Sequence, residues 1–103
     1  MYLVSFRVSD KTIDGKTYQN RYDTLVENLA HGSDGFWFDT TSFYIVGSTE
    51  NTGAFARRVV RGLSSKHDML FAFDPEDMSA CCFGAIQAED VLVSFFPRLE
   101  RIA

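Results

Sequence analysis

The stretch Gly35 to Ser48, Gly-Phe-Trp-Phe-Asp-Thr-Thr-Ser-Phe-Tyr-Ile-Val-Gly-Ser, places two runs of β-branched and aromatic residues on either side of a short polar break. That pattern leaves room for a tight hairpin and none for an intervening helix. Phe36, Trp37 and Phe38 fill the first arm, Asp39, Thr40 and Thr41 supply turn chemistry, and Phe43 to Val46 fill the second arm with strong strand formers. One strand and one helix are readable on each side of it. The hairpin is therefore expected at the centre of a symmetric β-α-β-β-α-β unit.

Ahead of the hairpin, Tyr2 to Val8 alternates, with Tyr2, Val4, Phe6 and Val8 on one face and Leu3, Ser5 and Arg7 on the other. This is the pattern of a half-buried strand. Ser9 to Thr17 is a polar loop in which Asp14-Gly15 is the expected turn. Tyr18, Tyr22, Leu25, Val26 and Leu29 then fall on one helical stripe, and Gly32 after His31 is a C-terminal stop. Beyond the hairpin, Ser48, Thr49 or Asn51 caps a second helix whose buried stripe is Phe55, Val59 and Leu63, with Ala56 and Val60 beside it. Arg57 and Arg61, one turn apart, are expected to share its outer face.

Met69 to Phe73 fits a fourth strand, closed by Asp74-Pro75. Ala80 to Ile86 reads as a fifth, with Gly84 marking a bulge or a close approach. Residues 88–102 open with Glu89 and Asp90 and close with Arg98 and Arg101, the charge order a helix dipole favours, with Pro97 expected to kink or restart that helix near Phe96. The expected fold is a single α+β domain over 1–103: a ferredoxin-like core over 1–74, an extra strand over 80–86 and a C-terminal helix over 88–102. Two helices would cover one face of the sheet. Leu3, Ser5, Arg7 and half of the hairpin's aromatic side chains are left on a bare face, which a second protomer or the terminal helix would have to cover.

Composition narrows the classes of function. Ten Phe, four Tyr and one Trp point to an aromatic-rich core or to rings placed at an interface, and 46% hydrophobic against 23% charged residues is the balance of a globular domain. A net charge of −4 repels polyanions overall, so nucleic-acid binding requires a local patch. The first residues lack the basic start of a signal peptide, and no apolar run approaches the roughly 18 residues of a spanning helix. A cytoplasmic location without membrane attachment is the expectation. The adjacent Cys81 and Cys82 point to opposite faces of an extended segment and are read as two buried, reduced thiols.

Tyr2-Leu3-Val4-Ser5-Phe6, Thr41-Ser42-Phe43-Tyr44-Ile45-Val46, Asp68-Met69-Leu70-Phe71 and Phe83-Gly84 together resemble the small bacterial and phage proteins of the SinR family. Those in turn resemble the smaller of the two core CRISPR adaptation proteins, which include metal-dependent nucleases, and the related VapD-type toxins. The likeness covers residues 2 to 86. It implies a ferredoxin-like homodimer in which two sheets meet across the bare face, with Ala80 to Ile86 crossing to the partner sheet. In the nuclease relatives an Asp ends the first strand and helps to hold a metal ion between protomers. That position is Arg7 here.

The departure bears on mechanism. Mg²⁺ is bound through oxygen ligands that it shares with the phosphate, and a guanidinium in a ligand position repels it. Arg7, with Ser5 beside it, is thus read as part of a dimer or ligand face, where it pairs with a carboxylate or receives a phosphate. The expected function is a small dimeric binding or adaptor protein, non-catalytic, without a cofactor and associated with RNA, DNA or a protein partner. The alternatives are a Mg²⁺-dependent nuclease, for which Asp10 is the substitute catalytic and metal-ligating residue, and a toxin or antitoxin component acting on a protein. Arg57 and Arg61 are the nucleic-acid-binding candidates, although a solvated helix face explains them as well. Asp74, Glu76 and Asp77 read as turn chemistry, and His31 and His67 as solvated or capping residues.

Overall fold

The alternation in the first strand is realised residue by residue in the computed structural model, which describes residues 1–103. β1 (Tyr2–Arg7) buries Tyr2, Val4 and Phe6 and leaves Ser5 and Arg7 exposed. The loop that follows is pinned by a miniature hairpin: Ile13 and Lys16 exchange two backbone hydrogen bonds of 2.9 Å around Asp14 and Gly15. Both turn residues have positive φ (51° and 79°), the geometry that favours Asp-Gly at a two-residue turn. α1 (Tyr18–Ala30) starts at a capping box in which Thr17 and Asn20 each accept the other's backbone N–H.

β2 (Gly35–Trp37) and β3 (Phe43–Gly47) form the central hairpin. Its first arm is one residue shorter than expected, because Phe38 already lies in the connection. Thr40 closes that loop, its Oγ1 accepting the N–H of Phe43 at 3.2 Å. α2 (Thr52–Val59) is capped by Asn51, whose side chain accepts the Ala54 N–H at 2.8 Å. The helix stops earlier than its apolar stripe suggests: Gly62, at φ +96°, turns the chain, and Arg61 lies beyond the last helical residue. β4 (Met69–Phe73) and β5 (Ala80–Gly84) follow.

The C-terminal segment departs most from expectation. In place of one helix over 88–102, a short α3 (Glu89–Phe95) gives way to a sixth strand, β6 (Leu99–Ile102). Pro97 is the cause, since it has no N–H and biases the residue before it away from helical geometry. Phe96 accordingly sits at φ −127°, ψ 80°. From there the chain pairs parallel to β5 and places Ile102 in the core. β5 also corrects an expectation. It ends at Gly84 and pairs antiparallel with β4 of its own chain.

The result is a mixed α+β domain with one six-stranded sheet in the order β2-β3-β1-β4-β5-β6, antiparallel except at β5·β6. α1 and α2 contribute Leu25, Leu29, Phe55, Ala56 and Val59 to the core over one face. Tyr2 stacks on Phe55 at 4.2 Å there, and Phe6 meets Tyr44 edge-on at 5.2 Å. No helix is long and apolar enough to cross a membrane.

Candidate binding face

Strand register fixes what lies on the other face. Trp37, Ile45, Leu3 and Phe73 stand side by side across β2, β3, β1 and β4. Phe43, Ser5, Phe71 and Cys82 form the next row, and Arg7, Met69 and Gly84 the third. α3 covers only the β4–β6 side of this surface. Phe96 is its anchor, with its ring 4.9 Å from Phe71 and 5.0 Å from Phe73, and Cys82 is fully buried. The rest lies outside that cover: Trp37 is 46% exposed, Leu3, Phe43 and Ile45 are half-buried, and Phe95, on the rim of α3, is 71% exposed.

Between β1 and α3 runs an apolar groove of about 390 Å³ whose walls include Phe71, Ile86, Val91 and Phe95, with Ser5 and Arg7 along one side. The two residues expected on the bare face are thus brought to it. Arg7 reaches over the groove to donate from Nη2 to the Ala85 carbonyl at 3.0 Å. The guanidinium ties the β5–α3 connection to the end of β1 and meets no carboxylate in its own chain. α3 is otherwise lightly held. It buries none of its residues, its first turn lacks a side-chain cap, and the Arg101–Glu89 ion pair at 2.5 Å is exposed.

Other predicted positions separate. Asp10 is exposed in the loop after β1, and the chain contains no group of three or more His, Cys, Asp or Glu side chains placed to hold a metal ion. Of Arg57 and Arg61, only the first lies within α2; Arg61 follows in its terminal turn, its N–H donating to the Arg58 carbonyl, and both side chains are exposed. Arg57 is paired with Glu100 at 2.5 Å. Arg58 is engaged too, with Glu50 at 2.8 Å, and it also donates to the Asn28 carbonyl. That pairing, countered by partial burial and aided by the Ser48 hydroxyl, holds the Glu50 carboxyl below its ordinary range. Burial pushes the Cys81 thiol up to about 11 and raises that of Cys82, so both are held as unreactive thiols.

Two residues with structural authority escaped the sequence reading. Arg21 and Asp68 form a fully enclosed ion pair, Nε to Oδ2 at 3.0 Å. Arg21 also donates to the carbonyls of Ser9, Lys11 and Lys16, and Asp68 accepts the N–H groups of Ser9 and Ser64. The available signal was the position of Arg21 on the apolar stripe, four residues before Leu25.

The fold and the face together define a mixed α+β domain with an uncovered aromatic half-sheet. Comparison with family models, curated proteins and solved structures returns no match.

Proposed function

We propose that this chain is a small, non-catalytic binding or adaptor protein that works as a homodimer, two copies meeting across the uncovered half of the sheet. The observation that carries it is the register row Trp37–Ile45–Leu3, left open beside the Phe95 rim of α3. An aromatic side chain offers about 150–250 Å² of surface. The exposed fractions of Trp37, Val91 and Phe95, with the half-buried Leu3, Phe43 and Ile45, then amount to on the order of 400 Å² per copy, near the apolar share of the roughly 800 Å² per partner of a standard interface. Arg7 stands at the edge of that surface, where a carboxylate or a phosphate would meet it.

The reading extends to fold family. We read the first four strands, in the order β2-β3-β1-β4 with every neighbour antiparallel, as a ferredoxin-like unit that β5 and β6 extend at one edge. This supports placing the chain with the SinR-like proteins that it resembles in sequence.

The test is a sedimentation series across micromolar concentrations. The wild type should approach twice the 11.7 kDa of one chain, and Phe95→Asp, which alters only an exposed rim residue, should remain monomeric at the same concentrations. A single-chain mass for the wild type throughout would overturn the proposal.

A further inference from the structure

The largest cleft of the molecule lies away from the back-face groove, between the Ile13–Lys16 hairpin and the turn from Gly62 to His67. Its volume is about 590 Å³ and its lining is mostly polar, with Ile13 and Leu63 as its apolar members. Both walls are braced by one buried pair. Arg21 Nη1 donates to the Lys11 and Lys16 carbonyls at 2.9 and 2.7 Å, which fixes the hairpin. Asp68 Oδ2 accepts the Ser64 N–H at 2.8 Å, which fixes the opposite turn. A gap between two loops is thereby held at a set width, as a preorganised site requires.

Charge is gathered at the same place. The chain has three lysines. Lys16 and Lys66 line the cleft from opposite walls, and Lys11 belongs to the loop that Arg21 pins. Asp10 and Asp14 offset part of this charge, while Arg21 and Asp68 cancel one another. On a protein of net charge −4 this is a local reversal of sign. Ser64, Ser65 and His67 add hydrogen-bonding side chains to the lining.

We propose that this cleft binds a small phosphorylated ligand, with Lys16 and Lys66 clamping the phosphoryl group from opposite walls and the serine hydroxyls and His67 bonding to its remaining polar atoms. Ammonium groups serve a phosphate as point charges, and two of them approaching from separate walls suit a tetrahedral dianion better than a planar carboxylate. The volume lies within the range of small-molecule sites. The polar lining selects a sugar phosphate or a mononucleotide over an apolar molecule.

Titration of isotope-labelled protein with inorganic phosphate, pyrophosphate and AMP, followed by amide chemical shifts, tests the assignment. Saturable shifts confined to residues around Lys16 and Gly62 to His67 are expected. The Lys16→Gln, Lys66→Gln double variant should bind about tenfold more weakly, from two partly exposed charge contacts. Arg21 holds the Lys16 main chain, so this variant keeps the brace and its folded spectrum. Shifts that do not saturate, that spread over the exposed arginines, or that persist unchanged in the double variant would each overturn the proposal. So would saturable binding of duplex DNA with none of the three small ligands.

Discussion

Arg21 and Asp68 meet where α1 passes the start of β4, and both side chains are closed to solvent, at 1% and 0% exposure. Every N–H of the guanidinium has an acceptor, and both carboxylate oxygens accept main-chain donors in addition. A buried pair of this kind gives little net stability over a well-packed apolar pair, but losing one partner strands a charge in the interior.

Asp68→Ala should therefore cost about 3–5 kcal/mol. Urea unfolding would read it as a fall in midpoint. Arg21→Met leaves the Asp68 carboxylate buried without its cation and removes the donor to the Ser9, Lys11 and Lys16 carbonyls, so it should cost a similar amount. A double variant no worse than Asp68→Ala would show that the two side chains act as a unit, whereas additive losses would mean that each is held by its loop contacts alone.

Gly84 is constrained by the same corner of the fold. It has φ +82°, and a Cβ built on it would lie 2.0 Å from the Asp68 carbonyl oxygen, which accepts the N–H of Ala85. Relief would require main-chain movement in β4. Gly84→Ala is expected to destabilise the protein by several kcal/mol, roughly the combined effect of a left-handed residue and a backbone clash. Gly15 makes the control, because its φ is +79° with open space around it, and alanine there should cost only about 1 kcal/mol. Similar losses at both positions in thermal unfolding would refute the role given to the contact.

How far these features were legible in the chain depends on the distance over which the signal acts. Alternation in Tyr2–Arg7, the Asp14-Gly15 turn and the Tyr18–Leu29 stripe are local patterns, and the structure follows them. β6 is not local. Leu99-Glu100-Arg101-Ile102 contains two charges in four residues, and it becomes a strand because α3 carries it back beside β5. The extent of α2 differs for a related reason: the apolar spacing was right, but Gly62 and the loop to Asp68 end the helix at Val59, ahead of Arg61 and Leu63. On the candidate face, Ser5 and Arg7 were readable from alternation. Phe95 and Phe96 were not, since their opposite fates, one exposed and one packed on Phe71, depend on the break at Pro97.

Stability should fall in acid in part through Glu50. Its carboxyl titrates below its ordinary value of 4.5 because Arg58 holds the charged form. A depressed folded-state value stabilises the protein above the unfolded value, and that contribution disappears as pH falls through the folded one. With side chains 21% and 31% exposed, the pair is expected to contribute about 1 kcal/mol. Glu50→Gln should thus be less stable than wild type at pH 7, and the two should converge as pH falls from the unfolded value of 4.5 through the lower folded one. A difference that does not narrow anywhere in the acid range would assign the loss to packing and not to charge.

Trp37 offers the most direct spectroscopic view of the open face, being the only tryptophan in the chain. It lies on the back of β2 beside Ile45, nearly half exposed. An indole in that position emits as a solvated ring in a monomer and as a desolvated one when a second sheet covers it. Dilution of the wild type through the association range should therefore shift its emission to longer wavelength. Phe95→Asp places a charge on the rim of the same surface and should cost at least about 2 kcal/mol of association, roughly thirtyfold in Kd. Its emission should hold at the solvated position at every concentration where the wild type changes. Phe95 lines the groove under α3, whereas Trp37 lies on β2 at the opposite edge of the sheet and outside that groove, so a difference in emission between the two proteins reads association. An emission maximum independent of concentration in both proteins would mean that the aromatic row stays in water, and that the occupant of this face is something other than a second copy.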